Sequence, residues 1–67
     1  MGVAKTIEIT SGSRKSFDDA MRSGLKTAGK TLKGISGAWI RDQQVLVVAN
    51  KVTEYRVRMR VTFVLED

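Results

Sequence analysis

The chain of 67 residues contains no cysteine, no histidine and no proline. Without cysteine there is no disulfide and no thiolate metal site. Without histidine there is no imidazole zinc site, and Ser-His and Cys-His nucleophile arrangements cannot exist. Without proline nothing breaks an element from within. No apolar run approaches the roughly 18 residues of a helical membrane span. Met1-Gly2-Val3-Ala4-Lys5 lacks the apolar stretch of a signal peptide and reads as the approach to a strand, so the cytoplasm is the expected compartment. A chain of this length is one domain, 1–67, with a marginal core. Small domains add disulfides, a metal or oligomerisation, and oligomerisation is what remains. The net charge of +5 invites anionic partners, although solubility alone favours a charge of this size.

What is present is dominated by the last thirteen residues, Tyr55–Asp67. Tyr55, Val57, Met59, Val61, Phe63 and Leu65 fall on one parity; Arg56, Arg58, Arg60, Thr62, Val64 and Glu66 fall on the other. Alternation of this kind is a long strand with an apolar side and an arginine-rich side. Val3–Ile9 reads as a short strand, and Thr10–Ser13 as a turn. Ser16 is an N-cap candidate ahead of Asp19. From Phe17 the period becomes helical: Phe17, Met21, Leu25, Ala28, Leu32 and Ile35 form one stripe. Asp18 and Asp19 sit at its positive end, Lys30 and Lys33 near its negative end, and Gly34 and Gly37 fit its stop. Gly24 and Gly29 either mark close approach of another backbone or are tolerated at the surface.

Ala38–Ala49 is a second strand region, interrupted at Asp42-Gln43-Gln44, where a bulge is expected. Val45–Ala49 is apolar on both parities, which implies burial on both faces. Asn50-Lys51 is the turn of a hairpin into the last strand. The order is β-α-β-β and the class α+β: a three-stranded antiparallel sheet with one helix on one face. The other face has no cover within the chain, and such a surface usually means an interface.

The catalytic inventory is thin, and no enzyme is expected. Among the acids, Asp42 has the unusual context, beside two glutamines in a strand interruption. It is either a bulge residue bonding its own backbone or part of a site. Trp39, the single tryptophan, shares a parity with Gly37 and Arg41, whereas Ala38 and Ile40 face the helix. Trp39 therefore points to the uncovered side, as an interface anchor or a stacking platform. Arg56, Arg58 and Arg60 point the same way and can bind phosphate or carboxylate, or pair with acids such as Glu8, Glu54 or Glu66. Arg22, Lys26, Lys30 and Lys33 form a basic helix face, read as solvated; no DNA-reading module accompanies it and no nucleic-acid partner is expected.

This pattern resembles the dodecins, a family of very small flavin-binding proteins. The resemblance is carried by Ser16-Phe17-Asp18-Asp19-Ala20, Lys30-Thr31-Leu32, Asp42-Gln43, Thr53-Glu54-Tyr55-Arg56-Val57 and Val61-Thr62-Phe63-Val64-Leu65-Glu66. It implies a hollow homododecamer of tetrahedral symmetry in which each sheet wraps its helix and the uncovered face meets other subunits. It also implies flavin (riboflavin, FMN or FAD) held between subunits, for storage, buffering or quenching rather than turnover. The cofactor-binding positions so implied are Gly37, Trp39, Asp42 and Arg56, with no metal ligand. Two depart from the family: Gly37 stands at the stacking tryptophan, with Trp39 two residues later on the same face, and Arg56 stands at the glutamine that bonds the flavin ring edge. Asp42 keeps the acid found near the ligand. The alternative is the same shell without flavin, binding ions or another small molecule.

Overall fold

The computed structural model describes residues 3–65. Within them the chain forms β1 (Val3–Ser13), α1 (Phe17–Ala28), β2 (Ile35–Val48) and β3 (Lys51–Leu65). The sheet is antiparallel with order β1-β3-β2, so the strand with the strongest alternation is the central one. Glu66 and Asp67 lie outside the described residues, and with them the pairing considered for Glu66.

The apolar parity of β3 is the core. Val57, Met59, Val61 and Phe63 are buried, and Ala20 of α1 closes over them. Ile7, Ile9, Phe17, Met21, Leu25 and Ile35 pack around this cluster. Phe17 meets Tyr55 edge to face, with ring centroids 5.2 Å apart.

α1 begins as its sequence requires: Ser16 is extended, and its hydroxyl accepts the Asp19 N–H at 2.9 Å. The Asp19 carboxylate does not return to the Ser16 backbone; it accepts from the Ser13 hydroxyl at 2.6 Å, tying the helix to the end of β1. The helix stops at Gly29, earlier than Gly34. The amides of Lys30 and Thr31 reach back only three residues, to Thr27 and Ala28, which tightens the last turn. Lys26, not Lys30 or Lys33, is the cation of that last turn. Gly34, at φ 76°, instead opens β2: its carbonyl accepts the Val64 N–H at 3.0 Å. Gly37 lies inside β2.

β1 continues through Thr10–Ser13 because β3 is long enough to pair Ser11, Gly12 and Ser13 with Val57, Arg56 and Tyr55. β2 starts at Ile35 rather than Ala38, and its pairing with β3 shifts in three places: between Ile35 and Gly37, between Ile40 and Asp42, and between Leu46 and Val47. The second is the expected bulge, with Arg41 as the extra residue and Asp42 back in register opposite Arg58. The hairpin turns at Ala49-Asn50, one residue before the expected position, with φ values of 51° and 64°. Two positive φ values between paired strands are the mark of a tight turn matched to strand twist.

The burial expected on both faces of Val45–Ala49 is absent from the single chain: Val45, Val47 and Val48 are exposed. Ile40, expected under the helix, is 44% exposed. Ile40 is level with buried Met59, and it is exposed because α1 packs over β1 and β3 and not over the β2 edge; for the valines the reason is length. A helix of 12 residues rises only about 18 Å, whereas the molecule is 51 Å long. The helix covers β1 and β3, and the hairpin arm runs on without it.

Candidate functional site

The face of the sheet turned away from α1 carries the arginine parity of β3, flanked on both sides by residues of β1 and β2. Registers set the rows. Thr62 lies between Thr6 and Gly37; Arg60 between Glu8 and Trp39; Arg58 between Thr10 and Asp42; Arg56 between Gly12 and Gln44. The acids are shared among the guanidinium groups. Arg58 Nη2 donates to Asp42 Oδ2. Arg56 holds Glu54 Oε2 through Nε at 3.0 Å and Nη2 at 2.9 Å. Glu8 stands 3.9 Å from Arg41, 3.9 Å from Arg58 and 4.0 Å from Arg60, a looser arrangement with three cations around one carboxylate. Four arginines thus face three carboxylates, which leaves one excess positive charge. The Asp42 hydrogen bond, then the charges of Asp42 and Glu8, hold the Arg58 guanidinium above its ordinary range, so it remains a cation.

Between these side chains lies a cleft of about 260 Å³ lined by Thr10, Asp42, Gln44, Arg56 and Arg58. Gly12 belongs to its construction. A Cβ there would overlap the Glu54 carboxylate, so the missing side chain is what lets Glu54 fold across β1 and hold Arg56. Of the positions singled out in the sequence, Asp42 and Arg56 line this cleft. Trp39 sits beyond it on the same face, cross-strand from Arg60 and 67% exposed. Gly37 lies one row further, where a Cβ would meet nothing within 4 Å. Gln44 and Thr10 are additions. Gln44 has the parity of Asp42, a signal present in the sequence, whereas Thr10 was hidden by the turn assigned to Thr10–Ser13. Among the described residues no group of three or more acidic, cysteine or histidine side chains converges as a metal site, and no helix is long and apolar enough to cross a membrane.

A β-α-β-β chain with a bare, charged sheet face and a lone outward tryptophan is a narrow description. The family model described as Dodecin matches residues 3–66. The chain belongs to the dodecin family. Its fold is similar to that of the Streptomyces davaonensis dodecin, with a TM-score of 0.95 at 21% identity over 98% of this chain and 97% of that one. A crystal structure of a Thermus thermophilus dodecin variant matches with a TM-score of 0.93 at 27% identity over 100% of both chains. The calcium dodecin of Mycobacterium tuberculosis, described as having a novel calcium-binding site, matches with a TM-score of 0.84 at 26% identity over 96% and 91%. No curated protein matches the sequence. As a dodecin, this chain keeps the fold of its relatives, and its outer sheet face carries an arginine stripe.

Proposed function

We propose that this dodecin binds flavin in pockets between the subunits of a homododecamer and acts as a store or buffer for it rather than as an enzyme. The observation that carries the reading is Trp39: an indole 67% exposed on a sheet face that the chain itself does not cover, in the row next to Asp42. A ring so placed offers its face to a planar heterocycle. In this reading Trp39 provides the stacking surface that Gly37 lacks, Asp42 stays near the ligand, and Arg56 donates where a neutral amide is found in other family members. Gly37 contributes space. Cytoplasmic location is part of the same proposal. Titration of purified protein into free riboflavin, FMN or FAD should quench flavin fluorescence at micromolar protein. Unchanged fluorescence with all three would refute flavin binding.

The calcium dodecin supports a second reading, in which the shell holds ions instead. Here both acids flanking the Trp39 row are already engaged, Asp42 by Arg58 and Glu8 among Arg41, Arg58 and Arg60, and a carboxylate surrounded by guanidinium groups is a poor ligand for a cation. The flavin reading is therefore preferred.

A further inference from the structure

The charge of this chain is divided unevenly between its two layers. On the outer sheet face four arginines meet three acids. Residues 14–33, which hold α1 and its flanks, carry Arg14, Lys15, Arg22, Lys26, Lys30 and Lys33 against Asp18 and Asp19 alone, four of the chain's five net charges. Both acids are occupied: Asp18 pairs with Arg22 at 2.9 Å, and Asp19 accepts from the Ser13 hydroxyl at 2.6 Å. Among the described residues Arg14, Lys15, Lys26, Lys30 and Lys33 have no ion-pair partner, and all five are exposed. Lys26 lies two residues from buried Gly24, about 200° round the helix, so it points almost straight away from the core. Arg22, Lys26 and Lys30 follow at four-residue spacing, roughly 6 Å per step along the axis. A row of lysines at helical spacing is by itself a solvated face. Two features set this one apart. The large apolar side chains exposed among the described residues all lie on strands, and none belongs to residues 14–33. Copies of the chain that cover this apolar surface therefore meet it through the strands and find nothing to bury on the outer side of α1. The aromatic ring of the segment, Phe17, is turned in against Tyr55.

We propose that the outer side of α1, with the lysines of its flanks, is a docking surface for the phosphate backbone of double-stranded DNA, held without regard to sequence. The partner follows from what the surface has and what it lacks. A protein interface needs an apolar centre, and an interfacial membrane helix needs apolar side chains to sink among the acyl chains; this face has neither. A single strand is held by bases stacked on aromatic rings, and Phe17 already holds its ring against Tyr55. What remains is a line of flexible ammonium groups, which suits a line of phosphates. Duplex DNA carries about one charge per 1.7 Å of its axis and releases condensed counterions to each lysine that docks. An ammonium group binds phosphate as a point charge, so no base is read. In an oligomer the face is repeated, and several weak helix contacts along one duplex combine as avidity. The surface lies on the helix layer, across the sheet from the cleft of Arg56 and Arg58, and the proposal stands independently of the flavin reading.

The test is fluorescence anisotropy of a labelled DNA duplex of about 25 base pairs titrated with the assembled protein. Affinity should fall at least about 40-fold between about 50 and about 200 mM salt, the response to neutralising three phosphates. Two duplexes of unrelated sequence should bind within about twofold of each other, and a single strand of the same length should bind more weakly. Lys26→Gln with Lys30→Gln and Lys33→Gln should weaken duplex binding at least about tenfold at the lower salt and flatten the salt dependence by about one phosphate per lysine. Native mass should not change in that variant, because all three side chains are exposed. Lys5→Gln with Lys51→Gln, which takes cations from the strands, should stay within about twofold of the wild type. An equal loss per charge in the two variants overturns the proposal, since net charge alone then accounts for the binding. Wild-type affinity in the triple variant overturns it as well, as does a duplex that binds no more tightly than the single strand. Retention on phosphatidylserine vesicles without binding to the duplex replaces DNA with a membrane surface and overturns it too.

Discussion

Trp39 and Arg58 show how much of a surface residue's role is set by its strand neighbours. Alternation alone sends both side chains away from the helix, and both directions were legible in the sequence. Their partners were not. Arg41 enters β2 as an extra residue, so the pairing slips by one, and Asp42 rather than Arg41 lands opposite Arg58. A bulge can be expected from three polar residues in a row, but which residue is extra depends on the strand across from it. The same holds for Gly12, whose purpose is visible only once Glu54 is seen lying over it. For Trp39 the expectation is direct. Trp39→Ala should weaken flavin binding about tenfold, an effect of about 1.4 kcal/mol and within the range of aromatic stacking. Trp39→Phe should retain an intermediate affinity. Titrations by flavin fluorescence check both, and unchanged binding in Trp39→Ala would move the stacking role elsewhere.

Among the elements, β3 was read almost in full from its alternation, and α1 was read correctly at its start and too far at its end. The apolar stripe does continue through Leu32 and Ile35, and Ile35 does reach the core. It does so from the first position of β2. Spacing cannot distinguish a longer helix from a helix followed by a strand that returns to the same core. The two glycines of the helix region also separate. Gly24 is buried, and a Cβ there would lie 2.7 Å from Ser11 Cβ and 3.0 Å from Met59 Cε. Gly29 sits at the exposed C-cap and faces only carbonyls of its own last turn. Alanine is favoured over glycine within a helix by about 1 kcal/mol, yet Gly24→Ala should destabilise the protein by about 1–3 kcal/mol through overpacking. Ser11→Gly in the same chain should restore part of the loss. Thermal unfolding of the two variants decides the matter, and a stabilised Gly24→Ala would show that β1 moves aside at little cost.

At the scale of the molecule, the single chain is unfinished. Val47, Val48 and Val52 on the hairpin arm are 54%, 65% and 49% exposed, and Trp39 and Val64 leave further apolar surface on or beside the outer face. Both-face burial of the arm was expected from its composition; in the single chain the arm is exposed, and copies of the chain in the family's oligomer are the expected cover. Native mass should report a homo-oligomer, and twelve copies of a 7.4 kDa chain amount to about 89 kDa. Val47→Asp with Val52→Asp, which puts two like charges across one strand pair, should shift the mass to smaller species. The far-UV circular dichroism should change little, because the core under α1 is elsewhere. A full-sized particle in that variant would place the contacts away from the arm.

One feature of the topology reaches beyond the finished particle. β3 is the centre of the sheet and the last of the four elements, pairing at Val3↔Leu65 with the first. β1 and β2 each pair with β3 and not with each other, so before β3 has joined the sheet both lack their partner. Neither can enter its native sheet, and α1 is the one element able to form early. A folding chain therefore holds two unpaired strands, one of them valine-rich, until β3 joins them. Shortening the chain from its C-terminus by a few residues should accordingly harm yield far more than an equal trim at the other end.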